Sequence, residues 1–286
     1  MAIAETAVRG RFVTRERNLF IGRNFLPYVV LALCGLLTVA AVAAPLLAPF
    51  DPVQPVSTPN IAPGDPDYFL GTDAIGRDIA SRVLYGLRAS WLSALLVVAI
   101  GLLVGGAVGA LAAVRGGWID TVLMRITDLF LALPGIIVSI AVVAAIGPSL
   151  RNLLVSLSIV WWPYYARIIR GEVRRVLAKP HVEAARSAGV SGVRLFRRHV
   201  WPGVMPTAIV TASLDVGSVV LAMAGLSFLG LGQAAPAPEL GADTSRGLPM
   251  LLSNWWIPLV PGLAVLVISL LANLGGDAVR SLLARK

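Results

Sequence analysis

Along this chain of 286 residues, apolar positions gather into long unbroken runs instead of alternating with polar ones. The run at 25–50 is 26 residues long, and 91–114 is uncharged for 24. A helix needs about 20 apolar residues to cross a bilayer core of roughly 30 Å. Four further stretches qualify: the one after Asp120 that ends at Ile146, 152–169, about 204–231, and a last one that opens at Trp255-Trp256. The pattern predicts an all-α integral membrane protein with six transmembrane helices. Segment 152–169 is the marginal case. It has 15 uncharged residues before Arg167, so its end must rely on arginines that snorkel to the interface.

The segments between the runs are polar. Residues 1–24 carry Arg9, Arg11, Arg15, Arg17 and Arg23 without an apolar period, which predicts a loosely ordered or surface-lying tail. Ala41-Val42-Ala43 resembles a signal-peptide cleavage site, but the preceding run is far longer than the 7–15 residues of such a leader, so 25–49 reads as an uncleaved first span. Residues 50–90 form a Pro-rich loop. Within it Ile79, Val83 and Leu87 repeat every four positions, which predicts a short amphipathic helix on the outer interface. Residues 91–276 hold the other five spans and a polar loop at 171–202, and 277–286 is a second tail. Gly101, Gly105 and Gly109 place small residues one turn apart on the second span, where another helix can approach closely.

Charge orients this chain instead of identifying a nucleic-acid binder. The net charge is +9, but 57% of residues are hydrophobic and only 14% are charged. Of the 24 Lys and Arg, 19 fall on the side of the termini; the other five are Arg77, Arg82, Arg88, Arg151 and Arg246. The positive-inside rule then places both termini in the cytoplasm. The lone Cys34 lies in the first span, so no intrachain disulfide can form.

The richest polar island lies between Arg167 and His199, with nine Lys or Arg. Pro180 suits the first turn of a helix and Gly189 its C-terminal stop, so 180–189 reads as one short helix. Ser191 can cap a second, Gly192 to Val200, which Pro202 closes. Ala184, Ala185 and Gly189 leave the turn almost without side-chain bulk, the shape of a docking knob. Glu183 would hold the loop by hydrogen bonds or an arginine pair. A basic helix-turn-helix that binds nucleic acid through Arg194, Arg197 and Arg198 is the competing reading, as is a connector that serves topology alone. Membrane runs begin too close on both sides for the first, and the second leaves the Ala-Ala and Gly pattern unused.

Glu183-Ala184-Ala185, three residues and Gly189 resemble the Glu-Ala-Ala loop of permease subunits of ABC-type importers. In that family the loop docks into a cytosolic ATPase, which implies coupling roles for Glu183, Ala184, Ala185, Gly189, His199 and Pro202. Leu70-Gly71-Thr72-Asp73-Ala74-Ile75-Gly76-Arg77-Asp78 resembles the dipeptide, oligopeptide and nickel branch of the family. So do Gly225-Leu226-Ser227-Phe228-Leu229-Gly230-Leu231-Gly232 and Asn273-Leu274-Gly275-Gly276-Asp277. Family members commonly carry Glu two residues before that first Gly, where this chain has Met223. The resemblance implies a type I importer permease fold and a homologous second permease chain. It also implies two cytosolic ATPase domains that bind ATP and Mg, and an extracytoplasmic substrate-binding protein, with peptides or nickel as cargo.

Other residues carry weaker signals. Asp73, Arg77 and Asp78 can lock the external loop by ion pairs; a metal site there lacks His or Cys partners. Asp215 lies near mid-membrane, where a carboxylate must face a cavity or a partner. With Ser218, Trp161 and Tyr164 it forms the candidate translocation path, although Trp161 to Tyr165 also reads as an interfacial aromatic belt. Asp128 can reach water or Arg125. No P-loop, Gly-x-Ser-x-Gly elbow or His-Glu-x-x-His pair occurs, and His181 and His199 are 18 residues apart. No catalytic, cofactor or metal residues are therefore assigned, and the chain reads as a transport subunit. A proton-driven transporter using Asp215 and Asp128, or a membrane scaffold, would leave the Glu-Ala-Ala loop unexplained.

Overall fold

The computed structural model describes residues 2–284, with side-chain placement from Phe25 onward, so the N-terminal arginines lie outside the described side chains. Helix α1, Ala2–Leu47, continues through the segment read as a loose tail. That segment is rich in Ala, Arg and Glu, which favour helix without needing an apolar face.

Helix α2, Ile79–Arg115, merges the expected interfacial helix with the second span into one 37-residue rod. At 1.5 Å per residue it is about 55 Å long and overreaches the hydrocarbon core. Asp78 starts it, accepting the Ser81 N–H at 2.7 Å, and no breaker separates Leu87 from Trp91.

The third span is not one helix. Helices α3, Gly117–Leu131, and α4, Gly135–Ile146, meet at a bend of 84°. Pro134 has no N–H to continue α3 and disfavours helical geometry at Leu133. Helix α5, Leu150–Leu177, is capped by Ser149, whose Oγ accepts the Asn152 N–H at 3.1 Å, and extends seven residues into the expected loop. Two short helices follow, α6, Pro180–Ser187, and α7, Gly192–Leu195, then a π turn, Phe196–Val200, and α8, Trp201–Phe228. Pro202 therefore opens α8 instead of closing the helix before it; in a first turn its missing N–H leaves no bond unmade. Helices α9, Leu240–Gly247, and α10, Trp256–Leu283, complete the chain, and α10 takes up most of the expected C-terminal tail.

Among the described residues, four segments are long and apolar enough to cross a membrane: Phe25–Leu47, Ile79–Arg115, Gly192–Phe228 and Trp256–Leu283. The bent α3–α4 pair makes a fifth if it counts as one span.

Packing rests on small residues. A Cβ on Gly105 would fall on the Trp162 carbonyl, and one on Gly109 on the Ala166 carbonyl, so the α2 glycine stripe receives the backbone of α5. Helix α10 meets α8 where Gly217 faces Asn273 and Gly276 faces Leu214, and meets α1 where Gly275 faces Cys34. Next to the start of α2, Asp73 accepts from Arg77 Nε at 2.6 Å, while Asp78 caps α2 and joins no ion pair among the described residues. Arg82, buried, pairs with Asp243 of α9 and donates to the carbonyls of Pro52 at 2.7 Å and Pro236 at 3.1 Å. Gly71 and Gly76 turn this loop with φ of +78° and +85°. Their missing side chains leave room for the carbonyls of Ile61 and Ser57.

Candidate functional site

The stretch from Pro180 to Pro202 projects beyond the ends of α5 and α8. Helix α6 closes on Gly189 at φ +84°. The Gly189 N–H donates to the Arg186 carbonyl at 2.9 Å, and the Val190 N–H donates to Ala185 at 3.0 Å. This is the double bond pattern of a glycine-terminated helix. A Cβ on Gly189 would meet nothing within 4 Å, so only its backbone angle demands glycine. Ser191 occupies the N-cap of α7, but its side chain makes no capping bond.

Beneath the loop, Val182, Leu195, Val200 and Val204 pack on Ile169, Val173 and Val176 of α5. Ala185 leans on this cluster, whereas Ala184 is exposed. The Glu183 side chain is exposed as well, and the expected arginine pair is absent among the described residues; its carbonyl accepts from Ser187 Oγ at 3.1 Å. His181 Nε2 approaches the His199 carbonyl at 3.3 Å, which ties α6 to the π turn, and Pro202 is exposed at the head of α8. A cleft of about 390 Å³ runs under the loop between Val114, Leu177, Arg186, Val190, Leu195 and Phe196. The result is a small knob with a rigid underside, an exposed carboxylate and a basic rim.

The second group lies within the helices. Asp215, midway along α8 and half-buried, neighbours Tyr164 and Tyr165 of α5. Tyr165 Oη and Asp215 Oδ2 are both buried and close enough to interact with each other, and neither has another hydrogen-bond partner among the described residues. Ser218 lies one turn further on the same face of α8 and is exposed, as is Tyr164. Trp161 instead packs against the apolar core. The aromatic run is thus divided: Tyr165 is buried, Trp162 stacks edge-on against Phe130, and only part of it faces outward.

Two acidic residues escaped the sequence reading. Asp120 of α3 is buried and accepts from Arg170 and Arg174 of α5, while Asp128 pairs with Arg167, not Arg125. These arginines therefore hold helices together instead of snorkelling to lipid. Only their basic run and the acidic i, i+8 spacing signalled this. Glu239 is the other. It is 1% exposed, accepts the Ala242 N–H at 2.8 Å at the start of α9, and lies near Ser227 of α8. Burial pushes its carboxyl upward. Met223, one turn before Ser227, is fully buried. The chain thus lacks a carboxylate at Met223 yet keeps one against the same end of α8.

The sequence profile of the family described as binding-protein-dependent transport system inner membrane component matches residues 101–286. The probable D,D-dipeptide transport system permease protein DdpC of Escherichia coli K12 is 39% identical over 248 residues, covering 87% of this chain and 83% of that one. The dipeptide transport system permease protein DppC of Haemophilus influenzae is 34% identical, with 88% and 89% covered. The nickel transport system permease protein NikC of Escherichia coli K12 is 35% identical, with 92% and 95% covered. Among solved structures, the inward-facing MetNI methionine ABC transporter matches with a TM-score of 0.57 over 70% of this chain and 95% of the matched one. At 20% identity that likeness concerns the fold.

Proposed function

Because the chain belongs to the family of binding-protein-dependent transport system inner membrane components, we propose that it is a permease subunit of an ATP-driven importer of short peptides. It crosses the inner membrane six times, with α3–α4 as one bent span, α5 as another, and both termini in the cytoplasm. A homologous second permease chain completes the pore. Two cytosolic ATPase domains bind ATP and Mg and perform the hydrolysis, and an extracytoplasmic binding protein delivers cargo.

One observation carries the coupling part of this reading. The loop from α6 to the π turn is a glycine-closed knob whose exposed side chains, Glu183 and Ala184, make no bond among the described residues, while its underside packs on α5 and α8. Such a knob can be pushed as a unit. The π turn supports it, since π turns interrupt α-helices frequently at functional sites. In this scheme Gly189 sets the turn, Glu183 and Ala184 present the docking face, Ala185 seats that face on the cluster beneath it, and His199 and Pro202 pass the displacement to α8. Asp215 and Ser218, with Tyr164 and Trp161, would then line or border the path. Exposure supports that placement: Ser218 and Tyr164, beside the half-buried Asp215, are both exposed.

Nickel is the second cargo reading, favoured by the likeness to the nickel permease. The test is to purify the tagged chain from its native membrane in mild detergent, identify the retained ATPase, and reconstitute the assembly with its binding protein. ATP-dependent uptake of labelled dipeptide is expected. Uptake of nickel alone would replace the cargo, and absence of an ATPase would refute the function.

A further inference from the structure

Helix α3 has little to hold it in place. Of its 15 residues only Asp120 and Thr127 are buried, and Trp118, Val122, Ile126 and Leu129 are exposed. Its firm attachment is ionic. The Asp120 carboxylate accepts from Arg170 Nε and, at 2.6 Å, from Arg170 Nη2, and also from Arg174 Nη2. Charge-assisted, two-pronged pairing fixes direction as well as distance. Asp128 and Arg167 add a second rung, but both side chains are about half exposed, where such pairs contribute little.

The position of the clamp along the chain matters more than its strength. Arg174 stands three residues before the end of α5, and α6 opens at Pro180. The clamp therefore grips the stem of the docking loop. At its other end α3 stops at Leu131 and turns 84° into α4. A stem, a clamp and a bend thus lie in series from the cytoplasmic knob to the interior of the third span.

We propose that Asp120 is a positioning residue for transport. Through Arg170 and Arg174 it binds α3 to the loop stem, so that displacement of the loop carries α3 with it and alters the α3–α4 bend. Sliding without the clamp would strand a buried charge, so the rung moves as a unit. Few-residue joints between rigid helices are where such displacement is absorbed. This inference rests on the coupling function proposed above, and its test is chosen to fail separately from it.

The experiment uses the complete transporter, purified with its ATPase and reconstituted, and reads ATPase retention, hydrolysis rate and dipeptide transported per ATP. Asp120→Asn keeps the shape and removes the charge. It should retain the ATPase and hydrolyse ATP, while transport per ATP falls about tenfold, the size of a typical coupling term. Asp120→Glu, and the exchange Asp120→Arg with Arg170→Asp, should each recover a large part of the loss. A merely structural role would change assembly and leave that ratio alone. If Asp120→Asn does not assemble, Arg174→Gln, which removes one donor and leaves the Arg170 pair, is read for the same ratio. An unchanged ratio, or no recovery in the exchange variant, overturns the proposal. A parent complex without ATPase overturns the coupling function itself.

Discussion

Arg82, near the start of α2, pairs with Asp243 of α9, 161 residues away, and both side chains are nearly buried. The same guanidinium holds the carbonyls of Pro52 and Pro236, so one side chain joins three segments that lie far apart in the sequence. Breaking a buried ion pair by removing one partner costs about 3–5 kcal/mol, because the remaining charge is stranded. Arg82→Ala should lower the thermal midpoint of the detergent-purified protein markedly. Arg82→Lys should do nearly as much, since an ammonium lacks the fork that reaches all three acceptors. The check is a thermal melt of each variant beside Arg77→Lys, whose ion pair with Asp73 lies within one turn and whose donation to the Pro236 carbonyl is long, at 3.4 Å.

The glycines of α2 give a sharper contrast. Gly109→Leu places a side chain on the Ala166 carbonyl of α5, so α2 and α5 must separate and the subunit should fail to assemble. Gly106→Ala, three residues away, meets nothing within 4 Å. It should be neutral or stabilising by up to about 1 kcal/mol, the helix preference of Ala over Gly. Detergent-resistant assembly on size-exclusion chromatography distinguishes the two; equal behaviour would mean that α2 and α5 do not pack through this stripe.

Glu239 makes a pH prediction. Burial raises its carboxyl in the folded protein, so the neutral form is the one the fold favours. That stabilisation is complete below the unfolded value of roughly 4.3 and is lost as pH rises through the higher folded value. Glu239→Gln keeps an acceptor for the Ala242 N–H and cannot ionise. Its melting temperature should fall less than the parent's across that window, and parallel curves would remove Glu239 as the titrating group.

Long apolar runs made the spans legible, and Pro180 and Gly189 marked the docking loop because each has one backbone use at its position. What the sequence hid depends on partners far along the chain. Arg82 counted only as one of five arginines on the side away from the termini, because its neutralising Asp243 lies in a segment far along the chain. Arg167, Arg170 and Arg174 looked like snorkelling charges because Asp120 and Asp128 belong to a different helix. Pro134 and Pro202 were both visible, yet proline breaks a helix only beyond its first turn, and periodicity alone does not say which turn is first. The path residues stay the least legible, since exposure toward a pore and toward lipid leave the same apolar pattern.

Asp215→Asn probes that path. Asparagine keeps the shape of the side chain and an acceptor for the Tyr165 hydroxyl, so removing the charge beside Tyr164 and Tyr165 should leave assembly intact. Transport rate should change several-fold, a shift of about 1 kcal/mol in a barrier. Proteoliposome uptake measured beside melting temperature decides it. Lowered stability with unchanged uptake would make Asp215 a packing residue.

The central claim is that the knob ending at Gly189 transmits ATP hydrolysis to the pore. Glycine is required there by its φ of +84°, where any other side chain costs about 1–2 kcal/mol in backbone strain. Gly189→Leu should therefore deform the loop, outside the apolar spans, and leave the subunit inserted. The deciding measurement is cargo-stimulated ATP hydrolysis by the reconstituted complex carrying Gly189→Leu. Loss of that stimulation, with the subunit still in the membrane, is the predicted result; stimulation equal to the parent's would contradict the account.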